Sequence, residues 1–156
     1  MTQEVTMRYR MSDRDVFYGG GVVNGARSIT YMGDLCDRLM AKVYGNVGRC
    51  TCVEQVRFYV LVFVGDYMEF HVRVVEQKDK TCKIECRLFK VAVIPENPEY
   101  PSSIDVLEDP KLSTTATFRT GFIGQCRIAA REVIFFVEDV AHFYTHISEK
   151  PLLAVF

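Results

Sequence analysis

The stretch FYGGGVVNGAR, from Phe17 to Arg27, contains three consecutive glycines and leads into a helical pattern. Such runs often bind phosphate, because the first amides of a helix point at an anion. This run fits neither standard signature. Ala26 and Arg27 stand where a P-loop requires Lys and Ser or Thr, and Asn24 stands where the dinucleotide fingerprint requires its last glycine. The helix start could still receive an anion or a polarised carbonyl oxygen, and the glycines also predict a tight turn.

Four polar residues follow at helical spacing and lie in one stripe: Arg27, Tyr31, Asp34 and Arg38. Two interpretations stay open. The stripe is either a solvated face with ion pairs across helical turns, or a polar face directed at a cleft or a partner subunit.

Other candidate groups carry weaker signals. His142 and His146 are spaced as two metal ligands on a helix would be, but no Glu follows His142 and no third ligand is evident, so we predict no metal site. His71 falls on the polar side of a predicted strand, where a surface or hydrogen-bonded role is the simplest expectation. Three aspartates are most simply explained as turn, cap or surface acids: Asp13, Asp15 and Asp37.

The composition restricts the class of protein. The chain has 156 residues, 49% of them hydrophobic, and a net charge of -1. This length suits one domain, and without a block of like charge nucleic-acid binding is not expected. No apolar run approaches the roughly 18 residues of a membrane span. The N-terminus does not resemble a signal peptide, and none of the six cysteines forms a C-x-x-C pair. We therefore expect free thiols and a cytoplasmic location.

The elements that must position these groups are readable from periodicity. Apolar residues at spacings of three and four predict a helix over 26–44, ended by Gly45 and Gly48; they are Ile29, Met32, Cys36, Leu39, Met40 and Val43. Alternating segments predict strands with one buried face each; these are CTCVEQVRFYVLVFV, YMEFHVRVV and TCKIECRLFKVAVI. Gly65-Asp66 is a two-residue hairpin signal.

The rest of the chain completes the predicted order. We expect a loop from Pro95 to Pro110 and a further strand in LSTTATFRTGFIGQ. Residues 127–146 predict a C-terminal helix, although VIFFV within them could be a strand. One long helix with an antiparallel sheet to cover it is an α+β layout, and a sheet wrapped around such a helix is a hot-dog fold. We expect a hot-dog domain over 1–126 and an extension over 127–156 that packs on it.

Two stretches resemble a known family. YGGGVVNGARSITYMGDLCDRLM and VGDYMEFH are similar to segments of the hot-dog β-aminoacyl-CoA ammonia-lyases, which include the β-alanyl-CoA and 3-aminobutyryl-CoA enzymes. The resemblance covers about Tyr9 to Val93, with a weaker match over 115–124. It implies an acyl-CoA site shared between subunits of a homodimer or a dimer-based oligomer. The implied reaction releases ammonia reversibly from a 3-aminoacyl-CoA, without a metal or an organic cofactor.

The resemblance also implies roles for particular residues. It assigns acid–base or substrate-orienting roles to Asp34, Tyr18, Asn24 and His71, with Asp34 the candidate acid–base group. It assigns substrate contacts to Gly25, Ala26 and Arg27, and Phe17 and Arg38, at neighbouring positions of the same motifs, are further candidates for substrate contact. Gly25 and Ala26 would supply amides that polarise the thioester carbonyl.

Two departures from the family pattern keep alternatives open. A histidine usually precedes the tyrosine, where this chain has Phe17, and a glutamate usually follows the helix aspartate by four residues, where this chain has Arg38. If that glutamate is the family's base, this chain would have another substrate or role. The alternatives are an acyl-CoA thioesterase and a non-catalytic acyl-CoA-binding or structural protein.

Overall fold

The computed structural model describes residues 3–78 and 80–121. Along the chain the elements are β1 (Glu4–Arg10), a helix α1 (Gly25–Tyr44), β2 (Arg49–Phe58), β3 (Tyr67–Lys78), β4 (Thr81–Val93) and β5 (Asp105–Gly121). The strands form one antiparallel sheet in the order β1-β3-β4-β5-β2. The helix contacts four of these strands, so the hot-dog expectation is confirmed.

The helix lies where its apolar stripe predicted. Its buried residues include Met32, Cys36, Leu39 and Met40, joined by Leu35, which the periodicity did not assign. The Asn24 side chain caps the first turn by accepting from the Ala26 amide at 2.9 Å. Gly45 ends the helix in the left-handed conformation, with φ 65°, and its amide donates to the Ala41 carbonyl.

The sheet buries the face that alternation predicted. On β3 and β4 the fully buried positions are Met68, Phe70, Val72, Cys82, Ile84, Cys86 and Leu88. Their sequence neighbours point to the opposite face of the sheet, because side chains alternate along a strand. Five cysteines are described and all are free, three of them buried.

The hairpin prediction at Gly65-Asp66 was wrong. These residues do form a tight turn, in which the Asp66 amide donates to the Phe63 carbonyl and Gly65 has φ 88°. The turn does not join paired strands, because β2 pairs with β5 and β3 pairs with β1 and β4. Local turn chemistry was correctly identified, but strand pairing is decided by burial of whole faces.

The predicted loop also extended too far. Strand β5 begins at Asp105, so Pro110 lies inside it. The register jumps from Lys90↔Lys111 to Ala92↔Val106, which leaves Pro110 in an irregular stretch where its missing amide proton breaks no ladder. The predicted C-terminal helix and the packing of 127–156, like His142 and His146, lie outside the described residues.

Candidate active site

The glycine-rich run forms a tight turn that is hydrogen-bonded to the residues before β3. Gly20 and Gly21 have φ of 78° and 75°, conformations that other residues rarely adopt. The Gly21 carbonyl accepts from the Val64 amide at 2.9 Å, and the Val23 amide donates to the Val62 carbonyl at 2.9 Å. The turn therefore holds the start of α1 against residues 62–64.

A cleft of about 580 Å³ opens beside this turn. It is bounded by the first turn of α1, the glycine-rich segment, the end of β2 with the residues after it, and β5. Its lining residues are Tyr18, Val22, Val23, Asn24, Gly25, Ala26, Ser28, Ile29, Phe58, Val60, Leu61, Val62, Ser113 and Thr114. The described lining is apolar with a few uncharged polar groups, and it includes no carboxylate. Such a cleft suits an acyl chain more than a phosphate.

Four sequence-predicted residues meet in this cleft: Tyr18, Asn24, Gly25 and Ala26. The Ala26 amide already donates to the Asn24 side chain, so it is not free for a ligand. The Gly25 amide has no hydrogen-bond partner among the described residues. With the partial positive charge of a 20-residue helix behind it, this amide can polarise a carbonyl oxygen.

A second hollow of about 300 Å³ lies on the other side of the same helical turn. Phe17 and Arg27 line it, together with Arg14 and Asp15, and it shares Asn24 and Ala26 with the cleft. Phe17 is 77% exposed and makes an edge-on contact with Tyr18, with 5.6 Å between ring centroids. The two hollows together place most of the predicted substrate contacts around the start of α1.

The remaining predicted residues lie elsewhere in the chain. Asp34 and Arg38 are exposed farther along α1 and do not line either hollow. Burial, with the Asp34 charge as a second cause, raises the pKa of Asp37. His71 lies on the sheet face opposite the core and contacts two carboxylates: its Nε2 is 2.8 Å from Glu69 and its Nδ1 is 3.4 Å from Glu4. Within one chain, these residues are not brought together with the cleft.

Asp15 is a buried carboxylate that sequence analysis treated as a turn, cap or surface acid. It does cap a short turn, because the Ser12 amide and hydroxyl both donate to it, at 2.8 and 2.9 Å. Tyr31 also donates to it at 2.6 Å and Tyr9 at 3.3 Å. Burial raises the pKa of Asp15, but the hydrogen bonds lower it by more. The pKa of Asp15 is therefore below its ordinary value. Such a carboxylate is a poor base and a good anchor.

A buried ion pair stabilises the turn that contacts the glycine-rich segment. Lys90 Nζ lies 2.6 Å from Asp66, and both side chains are almost fully buried. Asp66 also accepts from the Phe63 amide at 2.8 Å, and its carbonyl accepts from the Met11 amide. The 63–66 turn, which is hydrogen-bonded to the glycine-rich segment, is therefore joined to β4 by an ion pair.

Sequence reasoning missed Ser28, Phe58, Ser113 and Thr114 as cleft residues. Ser28 carried a readable signal, because it is a polar residue within the apolar stripe of α1. The others had none, since they come from β2 and β5 and only the fold brings them to the helix. Among the described residues no helix could cross a membrane, and no group of three His, Cys, Asp or Glu could hold a metal ion.

Comparisons with known proteins support the family resemblance and the fold. No family model matches the chain. It is 36% identical over 104 residues to a 3-aminobutyryl-CoA ammonia lyase of Acetoanaerobium sticklandii, a match that spans 67% of this chain and 82% of the relative. The fold is similar to that of β-alanyl-CoA:ammonia lyase from Clostridium propionicum, with a TM-score of 0.72, 30% identity, and coverage of 80% of this chain and 87% of that one.

More distant structures share the fold alone. An acyl-CoA hydrolase from Staphylococcus aureus, solved with butyryl-CoA and CoA, has a TM-score of 0.62 at 9% identity, covering 80% of this chain and 68% of that one. A hexameric acyl-CoA thioesterase has a TM-score of 0.63 at 12% identity, covering 80% and 71%.

Proposed function

This chain belongs to the family of 3-aminobutyryl-CoA ammonia lyase, and from that premise we propose that it is an acyl-CoA lyase that releases ammonia from C3 of a 3-aminoacyl-CoA. The observation that carries the proposal is the apolar cleft at the start of α1, with the Gly25 amide available to a carbonyl oxygen. Acyl-CoA is both substrate and product, and a redox-neutral elimination needs no further organic cofactor.

The proposed chemistry starts at the thioester. The Gly25 amide and the positive end of α1 stabilise negative charge on the thioester oxygen, which acidifies the proton on C2. A carboxylate takes that proton, the electrons of the C2–H bond form the double bond, and the C3–N bond of the protonated amine breaks, so that neutral ammonia leaves with the electron pair of that bond. The product is a 2-enoyl-CoA.

Asp34 is our proposed base, and it requires a second subunit. No described lining residue of the cleft is a carboxylate, and Asp34 is exposed on α1, outside its own chain's cleft. Among the described residues β2 is paired along one edge alone, which supports pairing with another copy, and we propose that this pairing brings Asp34 to the partner's site. Arg38, one turn from Asp34 on the same stripe, would then contact the CoA phosphates or the partner.

The test is an assay with three readouts on one sample. Incubation with 3-aminobutyryl-CoA is expected to give an absorbing enoyl thioester and ammonia, with no free CoA thiol. Asp34→Asn should lower turnover at least about a hundredfold, as loss of an acid–base group does, and leave acyl-CoA binding intact. Asp37→Asn, three residues farther along the same helix, is the matched control. Release of free CoA without enoyl product would instead indicate a thioesterase, and binding without either product a non-catalytic protein.

A further inference from the structure

Three buried residues that carry hydroxyl groups line the largely apolar cleft. Ser28 is 1% exposed, Thr114 is 1% exposed and Ser113 is fully buried, and all three line the cleft. The neighbouring walls are hydrocarbon, contributed by Val23, Ile29 and Val62 among others. A cluster of neutral donors and acceptors in such surroundings marks where a hydrogen-bonding group of a ligand would sit.

An irregularity in β5 brings two of these hydroxyls to one place. Leu88 pairs with Thr114 and Phe89 with Leu112, so Ser113 is the extra residue of a bulge. Consecutive residues of a regular strand face opposite ways, but the bulge lets both Ser113 and Thr114 line the cleft. Ser113 Oγ donates to the Val60 carbonyl at 3.0 Å and lies 3.4 Å from Thr114 Oγ1. These two hydroxyls are therefore held in position.

Ser28 differs, because its hydroxyl has no hydrogen-bond partner among the described residues. In that part of the chain no fully buried side-chain oxygen or nitrogen lacks a partner. The Ser28 hydroxyl must therefore keep some contact with the cleft, although the residue is almost fully buried. An unpaired hydroxyl within an apolar helix face lowers stability, and alanine would be the better residue for the fold alone.

We propose that Ser28 determines substrate specificity, by binding the hydrogen-bonding substituent of a short acyl group, with Ser113 and Thr114 completing the polar end of the cleft. The ligand class is a short-chain acyl thioester that carries an amino or hydroxyl group. This proposal rests on the proposed acyl-CoA function. It extends that function by naming the residues that distinguish a substituted acyl group from an unsubstituted one. An unsubstituted acyl group would leave the cleft hydroxyls unpaired, which costs binding free energy.

The experiment compares ligands with and without the substituent. For the full chain, the Kd of butyryl-CoA and the kcat/KM for 3-aminobutyryl-CoA and 3-hydroxybutyryl-CoA are measured in wild type, Ser28→Ala and Thr114→Val. We expect each variant to lower kcat/KM for at least one substituted substrate by roughly tenfold, the value of one hydrogen bond. The Kd of butyryl-CoA should change by less than about twofold. The substrate that responds shows whether the group is an amine or a hydroxyl.

Stability separates this role from a structural one. The melting temperature of Ser28→Ala should equal or exceed that of wild type, whereas a structural hydroxyl would lower it. Ser102→Ala, in an exposed loop, is the control and should change neither readout. The proposal is overturned if both variants affect butyryl-CoA and the substituted ligands equally, or affect none of them. If wild type binds no acyl-CoA at all, it is the proposed function that fails.

Discussion

At the scale of single residues, Asp15 joins parts of the chain that are distant in sequence. It receives hydrogen bonds from Tyr9 on β1, from Ser12 beside it and from Tyr31 on α1. The sequence indicated only a turn, cap or surface acid at this position, and the Ser12 contacts show the cap role. Its burial could not be predicted, because both tyrosines reach it only after β1 and α1 pack together.

The first prediction concerns the charge of Asp15. Asp15→Asn should destabilise the protein by about 2 kcal/mol at pH 7, because charge-assisted hydrogen bonds are lost. The folded pKa lies below the ordinary value of 3.8, so the charged carboxylate stabilises the fold above that pH and loses this effect as the pH falls through the folded pKa. Urea unfolding should show that the difference in free energy of unfolding between wild type and Asp15→Asn is smaller at pH 3 than at pH 7.

Asp13→Asn is the matched control, since Asp13 is exposed on the same short turn. It should change stability by less than about 0.5 kcal/mol at either pH. If the loss of unfolding free energy in Asp15→Asn were the same at both pH values, the charge of Asp15 would not contribute to stability.

At the scale of elements, glycines decide where α1 ends and how β2 begins. Gly45 and Gly48 both have left-handed backbones, with φ of 65° and 69°. Their surroundings differ, because a side chain at Gly45 would meet nothing within 4 Å, while one at Gly48 would lie 2.8 Å from the Gly121 carbonyl oxygen. The sequence predicted both glycines as helix stops. The structure shows that Gly45 is required for its backbone conformation alone, whereas Gly48 also lacks space for a side chain.

The second prediction follows from that difference. Gly45→Ala should cost about 1 kcal/mol, the price of a left-handed alanine. Gly48→Ala should cost about 2 to 4 kcal/mol, because the backbone oxygen it meets belongs to the β5 residue paired with Arg49 and cannot move freely. Chemical denaturation of both variants measures this. Gly19→Ala is the control, because a side chain there would meet nothing within 4 Å and the backbone is not left-handed. Equal losses for Gly45→Ala and Gly48→Ala would contradict the steric argument.

At the scale of the whole molecule, β2 lies at the edge of the described sheet and is unusually exposed. Within residues 3–78 and 80–121 its one sheet neighbour is β5, and nearly all of its residues are exposed. Val53, Val56 and Phe58 are among the exposed apolar residues. An open apolar edge invites pairing with another chain, so the shared site we propose and the solubility of the protein depend on the same strand.

The third prediction tests that edge. Wild type should sediment as a dimer or a dimer-based assembly, and Val56→Lys should shift it toward monomer by placing a charge in the apolar contact. Turnover should fall with the dimer fraction, because each site would need the partner's Asp34. Val75→Lys, the same change at an exposed valine of β3, should leave the assembly intact. A wild-type monomer that is fully active would exclude a shared site.

Local periodicity and backbone preference were enough to predict the helix, the buried faces of β3 and β4 and the tight glycine turn. The family motifs also pointed to Tyr18, Asn24 and Gly25, which are neighbours along the chain and line one cleft. The pairing of β2 with β5, the burial of Asp15 and the cleft that Ser28 shares with Ser113 and Thr114 emerge only from the tertiary structure. Those contacts join residues far apart in sequence, and their energies depend on burial that no local pattern contains.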